Sequence, residues 1–120
     1  MKLRKMSFLT TVILLGACAT YDPTGLQPGL AAIHEGRYVE AERHFRGMLA
    51  EDPGNPYALL NLGVAQARLG KRSEAIRNYR LAILKGEDAP VRSVVRYQSD
   101  QDVESTVSAV ASRNLANLGG

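Results

Sequence analysis

Between residues 38 and 50 the apolar side chains Ala41, Phe45, Met48 and Leu49 recur three or four apart, with charged residues between them. That spacing is one face of a helix. It returns at Ala75, Ile76, Tyr79, Ala82 and Ile83. A stretch carrying Leu59, Leu62, Gly63 and Gln66 predicts a helix ahead of that second one. Glu35-Gly36-Arg37-Tyr38 and Leu69-Gly70-Lys71 are turns, and Gly70 can take the positive φ of the position just past a helix end. Ser73-Glu74 is expected to open the helix that follows. Asp52-Pro53-Gly54-Asn55-Pro56 is a strong stop. Ahead of the first turn, Pro28 and Gly29 leave room for a short helix, about Pro28 to Glu35. Pro28 fits its first turn, where a missing N–H costs nothing.

Beyond Ala89 the pattern weakens. Ala89 to Gln98, with Val91, Val94 and Val95, predicts an irregular connection. A last helix is expected from Ser99-Asp100, with Asp102 and Glu104 in its first turn, favourable to the helix dipole. Val103, Val107, Val110, Ala111, Leu115 and Leu118 form its apolar face, and Gly119-Gly120 ends it.

The two central stretches are copies. Gly29/Gly63, Gly36/Gly70, Ala41/Ala75, Arg43/Arg77, Phe45/Tyr79 and Arg46/Arg80 share a single 34-residue offset. This period, with helical spacing inside it, resembles the tetratricopeptide repeat (TPR). The second copy, Pro56 to Ala89, matches through Leu59, Leu62, Gly63, Ala75, Tyr79 and Ala82. It departs from the family pattern at Leu59 (usually Trp), at Gln66 (usually aromatic) and at Glu87, where a closing Pro is usual. The first copy, Asp22 to Asn55, matches in its second half. Pro90 follows Pro56 at the same offset, as if a third copy began, but Tyr97 occupies the place of the small Gly. The resemblance implies an all-α fold: a short array of two helical hairpins over 28–89. Residues 90–120 then supply a connection and a C-terminal capping helix. In such hairpins Gly63 and Ala75 are small because two helices cross there, and Leu59, Leu62 and Tyr79 fill the space around the crossing.

The amino end follows a different rule. Lys2, Arg4 and Lys5 precede an apolar run, Met6 to Leu15, which is too short to span a bilayer and suits a secretory signal. Leu15-Gly16-Ala17-Cys18 resembles the lipobox of bacterial lipoproteins. The resemblance implies a signal peptide over 1–17, a diacylglycerol on the Cys18 thiol and an acylated new amino terminus. Residues 18–27 would be a lipidated tether containing Pro23 and Gly25. Several acyl chains anchor stably, at about 0.8 kcal/mol per buried methylene. Ala19, where Asp would favour inner-membrane retention in that family, points to the outer membrane, on its periplasmic side.

Net charge of +3 and a pI near 9.2 suggest nucleic acid only until their origin is traced. Lys2, Arg4 and Lys5 carry the whole excess, and the chain from Cys18 onward is neutral. One Cys excludes an internal disulfide or a four-Cys zinc site. His34 and His44 stand ten apart on different expected helices, without metal-ligand spacing. Asp100, Asp102 and Glu104 alternate by two and share no helix face. Phosphate-loop, dinucleotide and nucleophile-elbow motifs are absent. No catalytic residue, cofactor or metal is therefore expected, and an enzyme is not.

Arg43, Arg46, Arg77 and Arg80 fall on the outer faces of the second helices. They read either as a solvated face offset by Glu40, Glu42 and Glu74, or as a contact for an anionic surface, lipid headgroups or cell wall. TPR arrays generally bind peptides in the face lined by first helices. The matching positions are Leu26, Leu30, Ile33 and His34 in the first copy, and Tyr57, Leu60, Asn61, Val64, Ala67 and Arg68 in the second. Leu60 and Val64, outside the crossing set, are expected to lie open to a partner. The function this implies is an anchored adaptor with a protein or peptide partner in the cell envelope, in assembly or secretion.

Overall fold

The computed structural model describes residues 22–91 and 105–119. Five helices follow in order: α1 (Gln27–His34), α2 (Tyr38–Glu51), α3 (Pro56–Arg68), α4 (Arg72–Lys85) and α5 (Val107–Asn117). β1 (Pro90–Val91) and β2 (Ser105–Thr106) pair antiparallel, Pro90 opposite Thr106. α1 packs with α2 and α3 with α4 as two hairpins; α3 also lies on α2, and α5 on α4. This is the expected all-α hairpin array closed by a C-terminal helix.

The two hairpin turns are the same structure, one repeat apart. Gly36 and Gly70 both have φ +76°. The amides of Gly36 and Arg37 donate to the carbonyls of Ile33 and Ala32, and those of Gly70 and Lys71 to Ala67 and Gln66. These paired bonds close each first helix, and they need a left-handed residue that glycine supplies without steric cost. α4 starts directly from this turn at Arg72, with Lys71 as its cap and no side-chain cap bond. Ser73-Glu74 therefore lies inside the helix rather than opening it. Asn55 caps α3, its side-chain oxygen accepting from the amides of Tyr57 and Ala58, 3.1 Å each. Pro28 sits in the first turn of α1, as its missing N–H requires.

The hairpins close on an aromatic ring set against a glycine. Tyr79 lies over Gly63, where an added Cβ would come within 2.6 Å of the ring. Phe45 takes the equivalent place over Gly29. Two buried clusters result. The first joins Ala32, Ala41 and Phe45 to Ala58, Leu62 and Ala65 of α3. The second joins Leu59, Leu60, Ala75, Tyr79 and Ala82 to Val107 and Ala111 of α5. α3 contributes to both, so seven of its residues are buried.

The C-terminal helix departs from expectation at its start. Ser105-Thr106 is extended, so no helix runs from Ser99-Asp100 into Val107. Thr106 caps α5, its hydroxyl accepting from Ala109 N, and the first turn holds no acid. Asp100, Asp102, Val103 and Glu104 lie outside the described residues. The α5 segment is held at both ends. The amides of Val107 and Ser108 donate to Ala89 and Gly86 carbonyls at 2.8 and 3.1 Å. At the other end the Arg72 guanidinium donates to the carbonyls of Leu118 and Gly119, 3.1 Å each. The connection expected over Ala89–Gln98 begins with β1, and its remainder lies outside the described residues.

The expected signal segment, 1–17, and Cys18 also lie outside them. Asp22 to Leu26, placed in the tether, form a turn built on one carboxylate. Asp22 accepts from Thr24 N at 3.0 Å, from the Thr24 hydroxyl at 2.6 Å and from Gln27 N at 2.7 Å. The Thr24 hydroxyl, then the Gln27 amide, hold this carboxyl below the usual Asp range. His44 Nε2 donates to Gly25 O at 2.7 Å, fastening the turn to α2.

Candidate partner surface

The first helices of the two hairpins, α1 and α3, stand side by side. Residues one repeat apart therefore present equivalent positions: Leu30 matches Val64, and His34 matches Arg68. Leu30, Ile33 and Val64 are half-buried, packed on the clusters beneath them. His34 and Arg68 are exposed at the helix ends. Asn61 is half-buried and donates from Nδ2 to Tyr57 O of its own helix, at 2.8 Å. An apolar strip with a polar end is the surface these residues can offer, with no titratable pair set for proton transfer.

Leu60 does not belong to this strip. It is 6% exposed and part of the buried cluster with Val107 and Ala111. The expectation that Leu60 lies open to a partner is overturned. The reason is α5, which packs beside α4 and against α3 in the place a third repeat's first helix would take. Tyr57 is likewise engaged: its hydroxyl donates to Pro90 O at 2.9 Å. The spacing of Leu60 could not show this, because the covering helix starts only at Val107, beyond the whole second hairpin.

The polar interior of α3 was also beyond reach of the residue pattern. Gln66, 1% exposed, fills the slot where the family carries an aromatic. Asn78 Nδ2 donates to its Oε1 at 2.6 Å, so the buried amide has a partner. Unpaired, it would cost about 1–3 kcal/mol. A Gln in an aromatic slot was the available signal; its partner could be found only from the packing of α4 on α3. Nearby, burial pushes the Tyr79 phenol above its ordinary pKa, against an Asn114 hydrogen bond and the Arg68 charge, which pull it down.

Among the described residues no three His, Cys, Asp or Glu side chains converge as metal ligands, and no helix is long and apolar enough to cross a membrane. His44 is used in the Gly25 bond and stacks edge-on against Phe45, ring centres 5.4 Å apart.

Neither the curated proteins nor the solved structures contain a match to the chain. The tetratricopeptide repeat family model matches residues 32–95, from the end of α1 through α4 and just over half of the chain. Two hairpins in a 34-residue register, matching turns and an aromatic ring over glycine in each, agree with that match: the chain belongs to the tetratricopeptide repeat family.

Proposed function

We propose that this protein is a lipid-anchored adaptor of the bacterial envelope, non-catalytic, which holds a peptide or protein segment against α1 and α3. The family is generally one of protein–protein interaction modules, and that supports a protein partner. The observation that carries the reading is the strip itself. Leu30, Ile33 and Val64 keep part of their surface open on the two adjacent first helices, above the clusters they pack on. Asn61, His34 and Arg68 border the strip and suit a segment whose backbone is polar and whose side chains alternate. Leu15-Gly16-Ala17-Cys18 supports the anchor, and Ala19 supports the outer membrane as its site.

Two experiments test the two halves. Cys18→Ser should abolish incorporation of labelled palmitate; persistence of the label would refute the anchor. For the adaptor, a photo-crosslinking residue at Ile33 or Val64 in cells should yield one discrete adduct, identified by mass spectrometry. The same probe at Arg77, on the far side of the array, should not capture that protein. Equal capture from both sides, or none from the strip, would refute the groove.

A further inference from the structure

The outer faces of α2 and α4 carry Arg43, Arg46, Arg77 and Arg80. Their three candidate counter-charges are already engaged. Glu42 is turned inward, its side chain 12% exposed, with Lys71 Nζ at 2.8 Å and Arg46 Nε at 3.7 Å. Glu74 faces Arg46 at 3.7 Å, and Glu40 is paired with Arg37. Arg43, Arg77 and Arg80 are exposed, and among the described residues none of them forms an ion pair. Glu51, the remaining acid on α2, closes its last turn.

Apolar side chains stand exposed among these arginines. Leu84 is 75% exposed, Val39 64% and Leu81 39%. Arg77, Arg80, Leu81 and Leu84 follow the spacing i, i+3, i+4, i+7, so they form a single stripe along α4. Val39, Arg43 and Arg46 form the parallel stripe on α2, and the Arg46–Glu74 and Lys71–Glu42 pairs bridge the two helices. Arginines alone would suit any polyanion. Exposed leucines between them gain nothing from a soluble polymer, but they do gain from the boundary between headgroups and acyl chains.

We propose that the outer face of α2 and α4 lies on an anionic lipid bilayer, with Arg43, Arg77 and Arg80 at the phosphates and Leu81 and Leu84 between the headgroups. This goes beyond the adaptor function and leaves the α1–α3 strip turned away from the lipid. It uses the Cys18 anchor only to account for proximity. Cys18 stands four positions before Asp22, a reach of at most about 14 Å. The turn that follows is tied to α2 through Gly25 O and His44, the neighbour of Arg43. An anchored chain would thus enter the fold beside this face.

The test uses the chain from residue 18 onward, without the basic and apolar segment 1–17, carrying Cys18→Ser, which removes the lipid site and the only native thiol. Leu84→Cys, labelled with an environment-sensitive dye, is mixed with phosphatidylcholine vesicles or with vesicles containing one third phosphatidylglycerol. The dye should shift to the blue and be quenched by brominated lipid on the anionic vesicles only. The same dye at His34→Cys, on the strip side, should stay in water. Arg43→Glu with Arg77→Glu and Arg80→Glu should lower the Leu84-site signal on anionic vesicles on the order of 100-fold, since each basic side chain adds roughly a fivefold gain in partition. Arg→Lys at the same three positions should retain most of it, and helical circular dichroism should be unchanged in both. About 0.5 M salt should weaken the interaction steeply. Dye entry at position 34, equal signals on both vesicle types, or an unaffected triple Glu variant would overturn the proposal. So would tight binding to soluble polyphosphate with no dye shift on vesicles, which would assign the face to a polymer instead. Because the lipid site is absent in every arm, failure here leaves the anchor and the groove untouched.

Discussion

In the second hairpin Tyr79 lies over Gly63, Asn55 caps a 13-residue α3, and helices stand on both sides. In the first, Phe45 lies over Gly29 in the same way, but α1 has eight residues and no side-chain cap, and among the described residues no helix stands beyond it. The same repeat plan has therefore produced a buried hairpin and a half-open one. A repeat's burial is decided by its neighbours as much as by its own residues, because each hairpin has two faces and can cover neither alone. Leu60 and Leu26 show it directly. They are equivalent by register, yet Leu60 is buried under α5 while Leu26 is half-buried.

That pair offers the largest contrast. Leu60→Glu should cost about 3–5 kcal/mol, because a carboxylate would be left unpaired in a core that α5 closes. Leu26→Glu should cost about a third as much or less, since water reaches it. Denaturant unfolding of both variants gives the comparison; equal losses would mean that α5 does not seal the second hairpin. Val107→Ala probes the same closure from the other side. Val107 is fully buried against Gly86 and the second cluster, so its truncation should cost about 2 kcal/mol. Protection of α4 and α5 amides from hydrogen exchange should fall, while that of α1 and α2 stays closer to its original level.

The polar interior distinguishes the hairpins next. Asn78→Leu should cost about 1–3 kcal/mol by stranding Gln66. Adding Gln66→Leu to it should recover most of the loss, since neither amide would then need a partner. The first hairpin has no such pair: Ala32 stands at the position equivalent to Gln66. If the double variant is no better than Asn78→Leu alone, packing rather than the hydrogen bond is what that site supplies. Asn55→Ala should cost about 1 kcal/mol, the ordinary value of a helix cap.

The smallest expected effect is a pH dependence carried by one hairpin. Burial raises the Tyr79 pKa above its unfolded value near 10. In that window the folded state holds the proton more tightly than the unfolded chain does. The contribution is therefore fully present below about pH 10 and is lost as pH rises through the folded value. Tyr79→Phe should flatten this alkaline decline in melting temperature. Phe45, its equivalent, does not titrate. A decline of unchanged slope in Tyr79→Phe would place its origin elsewhere.

The family and the two hairpins were legible in the residues because they depend on local spacing. Apolar side chains at three and four, a glycine that can take positive φ after each first helix, and prolines at helix starts all act within one turn of where they stand. The constant offset then paired Gly29 with Gly63 and Phe45 with Tyr79, and the rings do lie over their glycines. The lipid anchor proposed at Cys18 rests on the same kind of local motif, Leu15-Gly16-Ala17-Cys18.

The start of α5 departed from the same reasoning because its decisive partner is not local. Asp102 and Glu104 resemble a first helical turn, but the Ser105-Thr106 backbone pairs with Pro90-Val91, and that strand partner from the far side of the connection outweighs the dipole preference. Which side chains of α3 stay partly open was decided wholly by tertiary contact. Leu60 and Val64 are indistinguishable by helical register, and only the packing of α5 buries the first while leaving part of the second open. Likewise, four arginines at matched spacing left a solvated face and an anionic contact both open, and only the fold shows Glu42 turned inward to Lys71 and Leu81 and Leu84 exposed beside Arg77 and Arg80. Spacing along a chain determines which side chains share a helix face. Burial and charge balance depend on what a distant segment brings against that face, and distance along the chain carries no trace of it.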